Sequence, residues 1–186
     1  FYIYCALCAA GTYVSSLLLD VHATAKAGGG DTGICARGEG VSCADAAESA
    51  FGEIFGMPVA ALGFAFYLTA LVLVIFKQFL GRVDRFGFND VFLAGGVLSA
   101  VYSLILAGAS AVVIGKWCPL CITLYGINFA LLITAIYGHS LGIKGLATLL
   151  KLPKKSGFWF ALCLLLSMLP LSNLIYASKA DDAQNL

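Results

Sequence analysis

Five stretches of this chain, 1–19, 58–76, 91–114, 118–137 and 158–176, contain no Asp, Glu, Lys or Arg. Each is close to the ~20 residues needed to cross a bilayer. Five such runs constrain the fold more than any other feature, because lipid offers no partner for a free backbone N–H and so forces each run to be helical. Charged residues make up only 11% of the chain, against about 25% in a soluble domain. The sequence therefore predicts an all-α integral membrane protein with five transmembrane helices. Gly95 and Gly96, and Gly108 between Ala107 and Ala109, are expected to let helices approach closely. The net charge of +1 gives no basis for a nucleic-acid partner.

Lys and Arg set the orientation. Seven of the eleven basic residues fall in two loops: Lys77, Arg82 and Arg85, then Lys144, Lys151, Lys154 and Lys155. These loops lie on one side by parity, which makes that side the cytoplasm. The other side receives the acidic loop 20–57, the tight turn 115–117 and the end of the chain. Residues 1–177 are read as one transmembrane domain and 178–186 as an outward tail. The start at Phe1 rather than Met suggests a trimmed N-terminus.

There are seven cysteines. Cys35 and Cys43 fall in the outward loop, and Cys118 and Cys121 open the fourth span just after the outward turn. Both pairs thus share the face where disulfides persist. Cys118 is placed at a helix N-terminus with Pro119 in the first turn and Lys116 nearby, an arrangement that favours a thiolate. A thiolate is the species that exchanges disulfides. Tyr125 follows Cys121 by one helical turn on the same face, where its hydroxyl could bond a quinone carbonyl. Glycines 28, 29, 30, 33, 38 and 40 surround the first pair and ease its movement. The stretch ADAAESAFGEIFG is expected to form a short amphipathic helix, with Phe51, Ile54 and Phe55 on one face, lying as a lid over the bundle.

Other readings use the same residues differently. A C-x2-C can be half of a zinc site, but the second pair is C-x7-C, and His22 and His139 fall on opposite sides. No metal site is expected. Cys35–Cys43 alone could be a static staple. Cys5 and Cys8, another CxxC in the first span, read as small apolar helix residues, and Cys163 as packing. A metal or small-solute transporter using the cysteine pairs as ligands would keep charged residues inside its spans, and the five runs have none. A structural subunit with one disulfide would not need Cys118. The residues favour a membrane thiol–disulfide oxidoreductase.

The run CPLCITLYGIN resembles the CxxC-I-T-x-Y-x-I-N segment of the vitamin K epoxide reductase family. The C-x7-C spacing of Cys35 and Cys43 matches its loop cysteines, and FGMPVAALGFAFY resembles the FG-x-P-x4-G-x3-Y approach to its second helix, especially in bacterial homologues. The resemblance covers residues 5 to 137. It implies four helices bundled around a quinone of the ubiquinone or menaquinone type, with a fifth helix that often leads to a thioredoxin-like domain. It implies a catalytic relay in which Cys35 exchanges with a thioredoxin-like partner, separate or fused, Cys43 passes electrons to Cys118, and Cys121 lies next to the quinone with Tyr125 on its carbonyl. Ser49 takes the place of the serine that follows the second loop cysteine, and Val59 the place of an Asn that contacts the quinone in the animal enzymes. Both positions are implied to face the quinone. The implied location is the bacterial inner (plasma) membrane, multi-pass, with the cysteines on the extracytoplasmic side. The tail 178–186 would be what remains of a linker to a thioredoxin-like domain.

Overall fold

The structure, a computed structural model, describes residues 2–31, 33–36, 40–54, 56–79, 88–138 and 156–184. Its elements are α1 (Tyr2–Lys26), a short 3-10 turn (Gly33–Ala36), α2 (Cys43–Glu48), β1 (Glu53–Ile54), β2 (Met57–Pro58), α3 (Val59–Phe79), α4 (Phe88–Ala109) continued by a π turn (Ser110–Ile114), α5 (Pro119–Gly138) and α6 (Ser156–Gln184). The protein is an all-α membrane protein: α1, α3, α4 with its π turn, α5 and α6 are each long and apolar enough to cross a bilayer. The loop residues Arg82, Arg85, Lys144, Lys151, Lys154 and Lys155, together with His139 and Phe55, lie outside the described residues.

α1 packs most extensively on α3, and α4 on α5, while α6 lies against α3 and α1. One core cluster joins α1, α3 and α5 through Cys8, Tyr67, Ala70, Ile127 and Leu131. Small residues decide how near the helices come. A Cβ on Gly96 would lie 3.0 Å from the Leu132 Cα, so α4 and α5 approach to backbone contact there. Gly11, which the sequence did not single out, is filled by the Tyr67 ring, 2.4 Å from where its Cβ would be. Gly95 faces the Phe66 ring, whereas Gly108 is exposed with open space around it, so close packing there is corrected. Cys163 is exposed on α6 rather than packed.

Two helices run further than the uncharged stretches. α1 continues past Leu19 through Asp20 and His22 to Lys26, and α6 continues past Tyr176 to Gln184. Much of the expected outward tail is thus helix. The Lys179 ammonium bonds the Asp20 carboxylate and reaches the Ser16 carbonyl at 3.4 Å, holding the two helix ends together. Charge ended the apolar runs but not the helices, because a charged residue at the membrane surface can remain in an uninterrupted turn.

The expected lid helix is shorter than read. α2 ends at Glu48, where the Ser49 N–H bonds the Asp45 carbonyl. The chain then folds so closely that a Cβ on Gly52 would lie 2.1 Å from the Ala47 carbonyl oxygen. Gly56, at φ +76°, closes a small antiparallel hairpin that pairs Glu53 with Pro58 and Ile54 with Met57. Phe51 and Ile54 therefore come from a turn and a strand, not from one helical face. Both still border the main cavity of the bundle.

Candidate functional site

The mouth of α5 is built by a reversal. Gly115, at φ +67°, ends the π turn, and Pro119 opens α5 four residues later. The intervening Trp117 is gripped by the outward loop: its N–H donates to the Gly40 carbonyl at 2.8 Å, and its carbonyl accepts from the Ser42 N–H at 3.2 Å. This short parallel pairing of Val41 with Trp117 brings the residue before Cys43 beside the residue before Cys118. The loop has two further ties. The Asp31 carboxylate accepts from the Cys43 and Ala44 N–H groups, both at 2.8 Å, and the Lys116 ammonium bonds the Asp45 carboxylate. Ser42 caps α2, its hydroxyl accepting from the Asp45 N–H at 3.0 Å.

Cys35, Cys43 and Cys118 are all buried and pack in one cluster, with Cys121, Leu18, Val21 and Leu120 against it. Cys35 and Cys43 are joined as a disulfide, with their Cα atoms 5.4 Å apart. Cys118 and Cys121 are thiols. The two pairs therefore meet, as a common face required. The Cys121 N–H donates to the Cys118 sulfur at 3.3 Å. A hydrogen bond from the Cys121 thiol, aided by the Leu120 and Cys121 N–H groups, holds the Cys118 thiol below its ordinary range. Burial and the Asp31 charge oppose that shift. The helix N-terminus acts here as expected. Lys116 does not: its ammonium is engaged by Asp45, whose carboxyl it holds below the usual carboxylate range. The Asp31 carboxylate and the Cys35 and Cys43 sulfurs lie within 4.8 Å of one another, but the sulfurs are bonded to each other and the carboxylate already accepts two N–H groups.

Beneath this cluster lies a cavity of about 400 Å³, bordered by α1, α3, α4, α5 and the cap formed by α2 and the hairpin. Cavities that hold small organic molecules span roughly 300–1,000 Å³. Cys43 and Cys121 both reach its wall, so it adjoins both cysteine pairs. Tyr125, Ser49 and Val59 also line it. Tyr125 brings its hydroxyl from α5, with Ser110 of the π turn beside it. The Ser49 hydroxyl already donates to the Ala46 carbonyl at 2.8 Å, leaving it only accepting capacity. Val59 opens α3, its N–H bonded to the Gly52 carbonyl at 2.9 Å, and presents an apolar side chain. The residues present fit an aromatic ring with polar edges: an apolar wall, hydroxyls at intervals, and a thiol adjacent.

Two features of the wall were missed in the sequence. Deep in the cavity the Tyr67 hydroxyl donates to the Asn128 side-chain oxygen at 2.6 Å, the Asn128 amide to the Ser103 hydroxyl at 2.8 Å, and that hydroxyl to the Ser99 carbonyl at 2.9 Å. Tyr67 and Asn128 fall within the two motifs quoted above, but spacing could not show that α3, α4 and α5 are linked through them. Near the cap, His22 is 3% exposed and contributes to the wall from α1. The uncharged run ends at Leu19 because Asp20 interrupts it, which puts His22 outside the first span. Its spacing from Ser15 and Leu19, both buried on the same helix face, was the available signal.

A family model described as the vitamin K epoxide reductase family matches residues 2–136. The matched segment contains both cysteine pairs and every residue named on the cavity wall.

Proposed function

Because the chain belongs to the vitamin K epoxide reductase family, we propose that it is a membrane thiol–disulfide oxidoreductase coupled to quinone. It takes electrons from a thioredoxin-like partner through Cys35 and Cys43, passes them to Cys118 and Cys121, and delivers them to a quinone of the ubiquinone or menaquinone type. The purpose is disulfide formation outside the cytoplasm, with the cysteines facing that side of a bacterial inner membrane. The observation that carries this reading is the single buried cluster of Cys35, Cys43 and Cys118, adjoining a cavity that Cys121 also lines.

The chemistry is a series of exchanges. A partner thiolate attacks the Cys35 sulfur and releases Cys43; a second partner thiol then resolves the mixed disulfide and leaves oxidised partner. Cys43 attacks Cys118 of a Cys118–Cys121 disulfide and frees Cys121. Cys35 next attacks Cys43, which restores the loop disulfide and leaves Cys118 and Cys121 reduced. The quinone, when bound, supplies the two-electron acceptor that reoxidises the inner pair. Tyr125 would hold one carbonyl by hydrogen bonding, Cys121 would lie beside the ring, and Ser49 and Val59 would shape the cap side. Direction follows from potential: about 30 mV is worth 1.4 kcal/mol for a two-electron couple.

Cys35 is buried, so the partner must lift the loop to reach it. Gly28 and Gly40, both at φ +82°, are the backbone positions where that motion is easiest. The purified full chain with a reduced thioredoxin-like protein should convert quinone to quinol. A Cys35→Ala, Cys121→Ala double variant should accumulate a Cys43–Cys118 disulfide on non-reducing mass spectrometry. If that species never forms, the relay is wrong.

A further inference from the structure

One titratable group on the cavity wall has no part in the relay. His22 is buried, and its Nε2 lies 3.2 Å from the Glu53 Oε1 on β1. The Lys26 ammonium lies 2.8 Å from the same carboxylate oxygen. Glu53 is thereby held well ionised, chiefly by its hydrogen bond from Lys26, so the histidine Nε2 is the donor in its contact with Glu53. The Tyr176 ring stands edge-on to the imidazole at 5.5 Å between centroids and fixes its plane. Among the described residues the one hydrogen bond of the imidazole is that of Nε2 with Glu53, which leaves Nδ1 as its other polar atom.

Apart from the Cys121 thiol, the remaining polar groups on the wall are poor proton donors near neutral pH. They are hydroxyls and an amide, and several are already committed: Tyr67 to Asn128, Asn128 to Ser103, Ser49 to Ala46. Imidazole is the one side chain whose ordinary titration falls in that range. The β1–β2 register also places it well. Glu53 pairs with Pro58, the residue before Val59, so the imidazole is tied to the strand that leads into the apolar Val59 corner of the wall.

Resting on the quinone-coupled reading above, we propose that His22 gives a proton from Nδ1 to the quinone oxygen at the cap end of the cavity, and that Glu53 is a positioning residue that orients the ring and stabilises its imidazolium form. Oxidation of the Cys118–Cys121 dithiol forms one S–S bond and releases two electrons and two protons. Reduction of a quinone to quinol takes up two electrons and two protons. The Cys121 thiol supplies one proton and His22 the other. The Cys118 proton leaves to solvent, and His22 regains one from solvent once the product has gone, so the sum closes.

The groups around His22 are Glu53 on β1, Lys26 on its own helix, Glu48 at the end of α2 and Tyr176 on α6, while Cys43, Cys121 and Tyr125 line the same cavity. The imidazolium is the donor, and burial pushes the His22 titration below its ordinary value against the opposing Glu53 bond, so turnover must fall as pH rises through that lowered value. The test uses the full chain in nanodiscs, dithiothreitol as reductant, and decylubiquinone or menadione as probe, with kcat, KM and the quinone Kd measured across pH. His22→Gln keeps a side chain able to bond Glu53 but cannot carry the proton. It should lower kcat by about 100-fold, the scale of general acid catalysis, leave Kd within about threefold, and remove the alkaline limb. Glu53→Gln should shift that limb to lower pH. A His22→Gln kcat within about threefold of the parent, or a Kd that weakens in step with kcat, overturns the proposal. Should His22→Gln not fold, an unshifted limb in Glu53→Gln overturns it alone. A parent chain that binds and reduces no quinone defeats the function first, which is a different result from a parent that turns over and a variant that does so equally well.

Discussion

The chain carries the same spacing twice, and the two copies behave as different chemistry. Cys5 and Cys8 form a CxxC inside α1, as Cys118 and Cys121 do at the mouth of α5. Cys8 is fully buried against Tyr67, Ala70, Ile127 and Leu131, in the second turn of α1, past the first four N–H groups that a helix start leaves unbonded. Cys118 precedes the first turn of α5, where N–H groups are free to meet its sulfur, and it packs against a disulfide. Two cysteines three residues apart always share a helix face. Only a helix start provides donors for a thiolate, and only a neighbouring disulfide gives that thiolate something to exchange with.

The largest contrast should come from removing each pair in turn. Cys118→Ala or Cys121→Ala should reduce quinone reduction to background, on the order of a thousandfold or more, since neither sulfur can exchange alone. The double variant Cys5→Ala, Cys8→Ala should stay within about twofold, as expected of small apolar replacements away from the chemistry. Loss of turnover in that double variant would break the comparison outright. The next effect is on alkylation. The Cys118 thiol is held below its ordinary range, so its thiolate persists at pH values beneath the usual ~8.5 and is lost only as pH falls through the lowered value. Iodoacetamide labelling followed by mass spectrometry should therefore favour Cys118 over Cys8 at neutral pH once the loop is released. Equal labelling of the two would remove the distinction.

Smaller effects concern how the loop disulfide is held over the α5 mouth. Asp31→Ala removes the acceptor of two N–H groups at the start of α2. A lost cap of this kind costs about 1 kcal/mol, or about fivefold in the loop-opening equilibrium. The rate at which a phosphine reduces Cys35–Cys43 should rise by that factor. Lys116→Ala breaks an exposed ion pair with Asp45 and should change the same rate by less than about twofold, with the difference vanishing in high salt. A larger effect for Lys116 than for Asp31 would mean that the charged tie, not the capping bonds, holds the loop shut.

Much of the site could be read before any fold was available, and the misses share a cause. Cys118, Pro119, Cys121 and Tyr125 are governed by the order of residues along one helix start, so their mutual placement was legible. Cys35 and Cys43 could be put on the same face as Cys118 by counting spans. The lid differs because its helical periodicity was read through Gly52 as far as Gly56, where contact with Ala47 and a positive φ turn the chain instead. His22 was lost to a boundary drawn at Asp20, and the Tyr67–Asn128–Ser103 chain to the distance in sequence between its members.

Amino-acid order alone determined the five helices, since lipid leaves the backbone no other way to bond itself and each uncharged run is long enough to cross. It also determined that one CxxC opens a helix while the other lies within one. Tertiary structure decided the rest: that the loop disulfide packs on Cys118, that a cavity remains beneath it, and that His22 borders that cavity with Glu53 behind it. Local rules reach about one helical turn, whereas burial and cavity walls are set by residues that meet from α1, the hairpin and α5.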